Sequence, residues 1–66
     1  MNASVRNILS KKKIQNMYLG IYPKSFAKQY VQGMIDFAYK TKMLDSFEKK
    51  LLEKYNEEVY LDTYDE

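Results

Sequence analysis

Pro23-Lys24-Ser25-Phe26-Ala27-Lys28-Gln29-Tyr30-Val31-Gln32-Gly33-Met34-Ile35-Asp36-Phe37-Ala38-Tyr39-Lys40-Thr41 is the stretch that decides the fold. Apolar residues fall at Ala27, Tyr30, Val31, Met34, Ile35, Ala38 and Tyr39. That i, i+3, i+4, i+7, i+8 recurrence predicts a helix over about 24–41 with one buried stripe. Phe26 and Phe37 widen the stripe. Lys24, Lys28, Gln29, Gln32, Asp36 and Lys40 form the opposite, solvated face. Pro23 suits the first turn, where its missing N–H is not needed. Gly33 costs about 1 kcal/mol relative to Ala inside a helix, and close approach by another helix is its expected use.

Downstream, Asp45-Ser46-Phe47-Glu48 reads as an N-cap carboxylate with Glu three residues on, a capping box. The helix it opens is expected to reach about 58 or 60. Phe47, Leu51, Tyr55 and Val59 form its apolar face, flanked by Leu44, Leu52 and Tyr60. Glu57, Glu58 and Asp62 oppose the dipole at the C-terminal end, which predicts fraying beyond 58. Thr41-Lys42-Met43-Leu44 is a connection of the length that joins antiparallel helices. Its Met43 and Leu44 are expected to plug the open end of the hairpin.

Upstream, Val5, Ile8 and Leu9 make one helical stripe, and Ile14, Met17, Tyr18, Ile21 and Tyr22 make a second on a different face. Gly20 is the natural stop, and the residue before Pro23 disfavours helix. The expected fold is all-α: a small three-helix domain built on an antiparallel helical hairpin. Residues 1–60 form the single domain, and 61–66 form an acidic, disordered tail.

Sixty-six residues bury only about 60% of the surface the unfolded chain exposes. A core of that size supplies roughly 3–5 kcal/mol. The chain has no Cys and no His, so disulfides, Cys/His zinc sites and His-assisted catalysis are excluded. Its two glycines, Gly20 and Gly33, lie too far apart for a phosphate-binding loop. Asp45, Glu48, Glu53, Glu57 and Glu58 sit on the polar side or at the cap of one helix, as solvated charge rather than as an acid/base pair. The expectation is a non-enzymatic protein without metal, cofactor or small-molecule substrate. No apolar run has the length of a membrane span, and Lys11-Lys12-Lys13 stand where a leader would carry its apolar core. A cytoplasmic location is therefore expected.

Charge is segregated. Residues 1–42 carry eight cations against Asp36 alone, and residues 43–66 carry three lysines against eight acids, giving +7 and −5. Opposed charges on two packed helices would give this pattern, as would a nucleic-acid face. For nucleic acid, the candidates are Lys11, Lys12, Lys13, Lys24 and Lys28, with Tyr18, Tyr22 and Tyr30 as stacking rings. A single Arg among eleven cations leaves little capacity for bidentate base reading.

Protein binding is the favoured class. Ten aromatic residues and four methionines exceed what three short helices can hide, and exposed apolar patches mark association surfaces. The expected partner-binding surface is Ile14, Met17, Tyr18, Ile21 and Tyr22, which a homodimer would also use. The hairpin Gly33-Met34-Ile35-Asp36-Phe37-Ala38-Tyr39 with Met43-Leu44-Asp45-Ser46-Phe47-Glu48-Lys49-Lys50-Leu51 resembles the two-helix hairpins of small phage and plasmid open reading frames. The resemblance implies an accessory protein that regulates or inhibits a host protein by stoichiometric association. DNA or RNA regulation through the basic half is the alternative.

Overall fold

The computed structural model describes residues 10–64. Three helices follow one another: α1 (Lys11–Leu19), α2 (Lys24–Lys40) and α3 (Ser46–Asp62). Each packs on the other two, and the described residues contain no strand. The protein is a small all-α domain. The Val5, Ile8 and Leu9 stripe lies outside the described residues.

The local signals act where the residue chemistry places them. Ser10 caps α1 by accepting from the Lys13 N–H, and the Gly20 N–H closes its end on the Met17 carbonyl. At α3 the capping box is complete: Asp45 Oδ1 accepts from the Glu48 N–H at 2.8 Å, and Glu48 Oε1 accepts from the Asp45 N–H at 2.9 Å. Both amides would otherwise lack partners.

α2 ends in a Schellman motif. The Met43 N–H donates to the Ala38 carbonyl at 2.9 Å and the Lys42 N–H to that of Tyr39 at 3.1 Å. The motif needs a left-handed residue, and here it is Lys42, at φ 63°. A Cβ in that conformation costs roughly 1–2 kcal/mol. Lys42→Gly is therefore expected to raise the thermal midpoint by a few degrees. An unchanged or lower midpoint in a calorimetric scan would show that the loop carries no such strain. Leu44 is buried and plugs the hairpin as expected, whereas Met43 faces outward.

The core is Ile14 and Tyr18 from α1, Ala27, Val31, Ile35 and Ala38 from α2, Leu44, and Leu52 and Val59 from α3. Two expectations about its composition are overturned. On α3 the buried face runs Glu48, Leu52, Asn56, Val59, so the helix is turned by about one residue from the expected Phe47, Leu51, Tyr55, Val59. Phe47 is 73% exposed. The turn is tolerated because both polar residues on the buried face are satisfied: Glu48 by the capping box, Asn56 by bonds described below. On α2, Phe26, Tyr30, Phe37 and Tyr39 stand outside the core. Alanines at 27 and 38 fill the inward positions, where rings would hold the neighbouring helices apart.

The third helix also runs further than its acids suggest, to Asp62, so residues 61 and 62 are helical rather than tail. Lys24 supplies the cation that the C-terminal end lacks. Its Nζ donates to the Tyr60 carbonyl at 3.2 Å and the Thr63 carbonyl at 3.0 Å, and stands 4.5 Å from the Tyr60 ring centre. Thr63 Oγ1 donates to the Val59 carbonyl at 2.6 Å. Residues 65 and 66 lie outside the described residues.

Candidate association surface

Charge segregation along the chain becomes pairing between helices. Lys11 Nζ bonds Glu58 at 3.0 Å and Lys28 Nζ bonds Glu57 at 2.7 Å, while Lys49 Nζ stands 3.8 Å from Asp36 of α2 and bonds Glu53 of its own helix at 2.9 Å. Gln32 Nε2 donates to Glu53 Oε2 at 2.8 Å. The hydrogen bond to Glu58 raises the Lys11 pKa, and that to Glu53 raises the Lys49 pKa. Hydrogen bonds from Lys49 and then Gln32 hold the Glu53 carboxyl below its ordinary value.

Of the five lysines expected at a nucleic-acid face, the structure engages three with α3 or its C-terminal end: Lys11, Lys24 and Lys28. Lys12 and Lys13 are exposed on α1. Three of the five are thus engaged within the chain and two stand exposed. Nor do the acids assemble into a site: among the described residues no group of three or more carboxylates could hold a metal ion.

The expected partner-binding set is divided as well. Ile14 is fully buried and Tyr18 nearly so, while Met17 and Ile21 pack against the core from its edge. Only Tyr22 is largely exposed, at 67%. Ile14, Met17 and Tyr18 look inward because α1 contributes a single apolar stripe to the described body, and α2 and α3 close over it.

Tyr18 belongs instead to a buried polar junction. Its hydroxyl donates to Asn56 Oδ1 at 2.6 Å, and Asn56 Nδ2 donates to the Lys28 carbonyl at 3.1 Å. One side chain on α3 thus ties α1 to α2. Every buried side-chain polar atom among the described residues has a partner. Burial, with smaller contributions from Glu57 and Tyr60, pushes the Tyr18 hydroxyl up to about 12. A phenol whose pKa is raised by folding contributes stability fully below its unfolded value, about 10. That contribution is lost as pH climbs toward 12. Urea unfolding between pH 8 and 12 is expected to show the gap between wild type and Tyr18→Phe closing above about pH 10; parallel pH profiles would contradict the assignment.

Single exposed hydrophobics such as Leu19, Phe47 and Leu61 stand on α1 and α3, and a row of exposed aromatic residues lies on α2. Phe26, Tyr30 and Phe37 are 60%, 55% and 65% exposed, and Gly33 between them is exposed too. Their spacing of four, three and four residues lays them along one face of the helix. This stripe runs beside the core stripe of Ala27, Val31, Ile35 and Ala38, offset from it by about a third of a turn. A Cβ built at Gly33 meets nothing within 4 Å, so no helix of this chain approaches it among the described residues. Among the described residues, the close approach by another helix expected at Gly33 is not made.

A second concavity, lined by Tyr39, Lys40, Met43, Asp45 and Ser46, opens at the hairpin end. The helix N-terminus beside it is already occupied by the Asp45 and Glu48 carboxylates. None of the described helices is long and apolar enough to cross a membrane.

Sequence reading missed both Asn56 and the separateness of the aromatic stripe. For the stripe a signal existed: the α2 apolar arc, with Phe26 and Phe37 included, is wider than two neighbouring helices can cover. For Asn56 no single-residue signal existed, because a lone Asn among Glu and Lys reads as solvated. The fold and surface define a small three-helix all-α domain with an aromatic face of α2 exposed among the described residues. No protein-family model, curated protein or solved structure matches the chain.

Proposed function

We propose that this chain is a small non-enzymatic binding module that acts by stoichiometric association with protein, through the exposed face of α2. The single observation that supports the reading is the exposure of Phe26, Tyr30 and Phe37 on one helix face. Aromatic rings held in water on a rigid helix are the side chains that dominate protein interfaces. A helix face of this kind fits another helix laid along it. Engagement of Lys11, Lys24 and Lys28 within the chain favours protein over nucleic acid as the partner. On this reading, the resemblance of the hairpin to small phage and plasmid proteins extends to their manner of action, regulating or inhibiting a host protein by occupying it.

The test is site-specific photo-crosslinking in the expressing cell. A photoreactive phenylalanine at Tyr30 is expected to give a protein adduct. The same residue at Lys54, on the outer side of α3, is expected to give none. Equal labelling from both positions, or nucleic-acid adducts from Lys12 in place of protein adducts from Tyr30, would contradict the reading.

A further inference from the structure

We propose that α2 pairs antiparallel with α2 of a second copy of this chain, Tyr30 of each copy seated over Gly33 of the other. The proposal rests on the association reading above: a second copy holds the face, and a host protein that binds there competes with it.

The pattern of the stripe carries it. Phe26, Tyr30, Gly33 and Phe37 read four, three, four in either direction. A two-fold axis between positions 30 and 33 therefore brings Phe26 opposite Phe37 of the second copy and Tyr30 opposite Gly33, at both ends alike. That is the self-complementarity a symmetric dimer requires. The largest ring meets the position with no side chain, and each ring enters the space a side chain would fill, the knob-into-hole fit of packed helices. Gly33 is otherwise costly, since it weakens α2 and no part of the described body uses its missing Cβ.

Polarity along the seam agrees. The same axis sets the exposed Gln29 amide beside Asp36 of the second copy, whose carboxylate is half exposed. Lys40 lies opposite Pro23, so no like charges face each other along the stripe. The area is sufficient. Three rings that are each more than half exposed, with the flanking Tyr22 and Gln29, offer about 500 Å² per copy. A pair then buries about 1,000 Å², the low end for a specific interface, so a weak, concentration-dependent dimer is expected.

Sedimentation equilibrium from roughly 1 to 500 µM reads the association directly. The wild-type mass is expected to move from one chain to two across that range. Gly33→Gln fills the seat while improving helix propensity, so this variant unfolds at a higher temperature when monomeric. It is nonetheless expected to dimerise at least about tenfold more weakly. Register is read by mixing Phe26→Cys with Phe37→Cys and adding a short bifunctional maleimide, the chain being otherwise free of cysteine. The mixed 26–37 product is expected to dominate.

A wild-type monomer at the top concentration, a Gly33→Gln variant that dimerises as tightly as the parent, or a dominant 26–26 product would each overturn the pairing. Contacts between the Phe26 or Phe37 ring and Val5 or Ile8 in that monomer would assign the face to the chain's own N-terminal segment. If the chain is monomeric while Tyr30 still crosslinks a different protein, the self-pairing fails and the association reading stands. If neither occurs, both fail.

Discussion

Asn56→Ala is expected to remove most of the stability of this domain. The side chain is almost wholly buried and holds the Tyr18 hydroxyl and the Lys28 carbonyl at once. Truncation removes the 2.6 Å acceptor of a buried phenol, leaves it only the longer 3.3 Å bond to the Asn56 backbone carbonyl, and opens a small void between three helices. Losing the better acceptor of a buried hydroxyl costs about 1 kcal/mol, and the void between the helices adds roughly 2 kcal/mol, for a total of about 3 kcal/mol. Against the roughly 3–5 kcal/mol available to a core of this size, the urea midpoint should fall by more than half. The Lys28 carbonyl loses less, because a helical carbonyl has its own i+4 amide. The pair Tyr18→Phe with Asn56→Leu removes the polar groups on both sides and is expected to recover much of the loss, with a coupling above about 1 kcal/mol in the double-mutant cycle. A loss below about 0.5 kcal/mol for Asn56→Ala would mean that the junction does not form.

The second large effect separates core from surface on one helix. Ile14 and Leu19 are aliphatic residues five apart on α1, one fully buried and the other 86% exposed. Ile14→Ala is expected to cost about 2–5 kcal/mol, and Leu19→Ala to stay within about 0.5 kcal/mol. Thermal or urea unfolding of the two variants decides it. A silent Ile14→Ala would return that residue to the surface where its position in the α1 stripe first suggested it.

Much of the architecture could be read from residue chemistry because the signals were local. The Asp45 and Glu48 box, the stop at Gly20 and the apolar rhythm from Ala27 to Ala38 each act within a turn or two. Features that depend on long-range partners were not legible. Asn56 is buried because Tyr18, thirty-eight residues earlier, offers its hydroxyl. α3 continues past Glu58 because Lys24, thirty-six residues before Tyr60, reaches its last carbonyls. The left-handed turn at Lys42 carries no glycine to announce it.

The candidate surface was less legible than the fold, for a related reason. Periodicity identifies a helix face as apolar but does not say which of two adjacent stripes faces inward. On α2 the stripe with alanines went in and the stripe with phenylalanines stayed out. On α1 the apolar residues reserved for a partner were needed inside. Counting aromatics correctly implied a surplus, yet its location depended on how three helices divided a core of nine residues.

That surplus underlies the central proposal, that the aromatic face of α2 serves association and not the fold. The most direct measurement is the crosslink yield from Tyr30 in a Phe26→Ser/Phe37→Ser background, with the thermal midpoint recorded on the same sample. The expected result is an unfolding midpoint within a few degrees of the parent at low concentration, together with loss of the protein adduct. A collapsed midpoint would place the two rings in the core, and an undiminished adduct on a folded chain would place the association surface elsewhere.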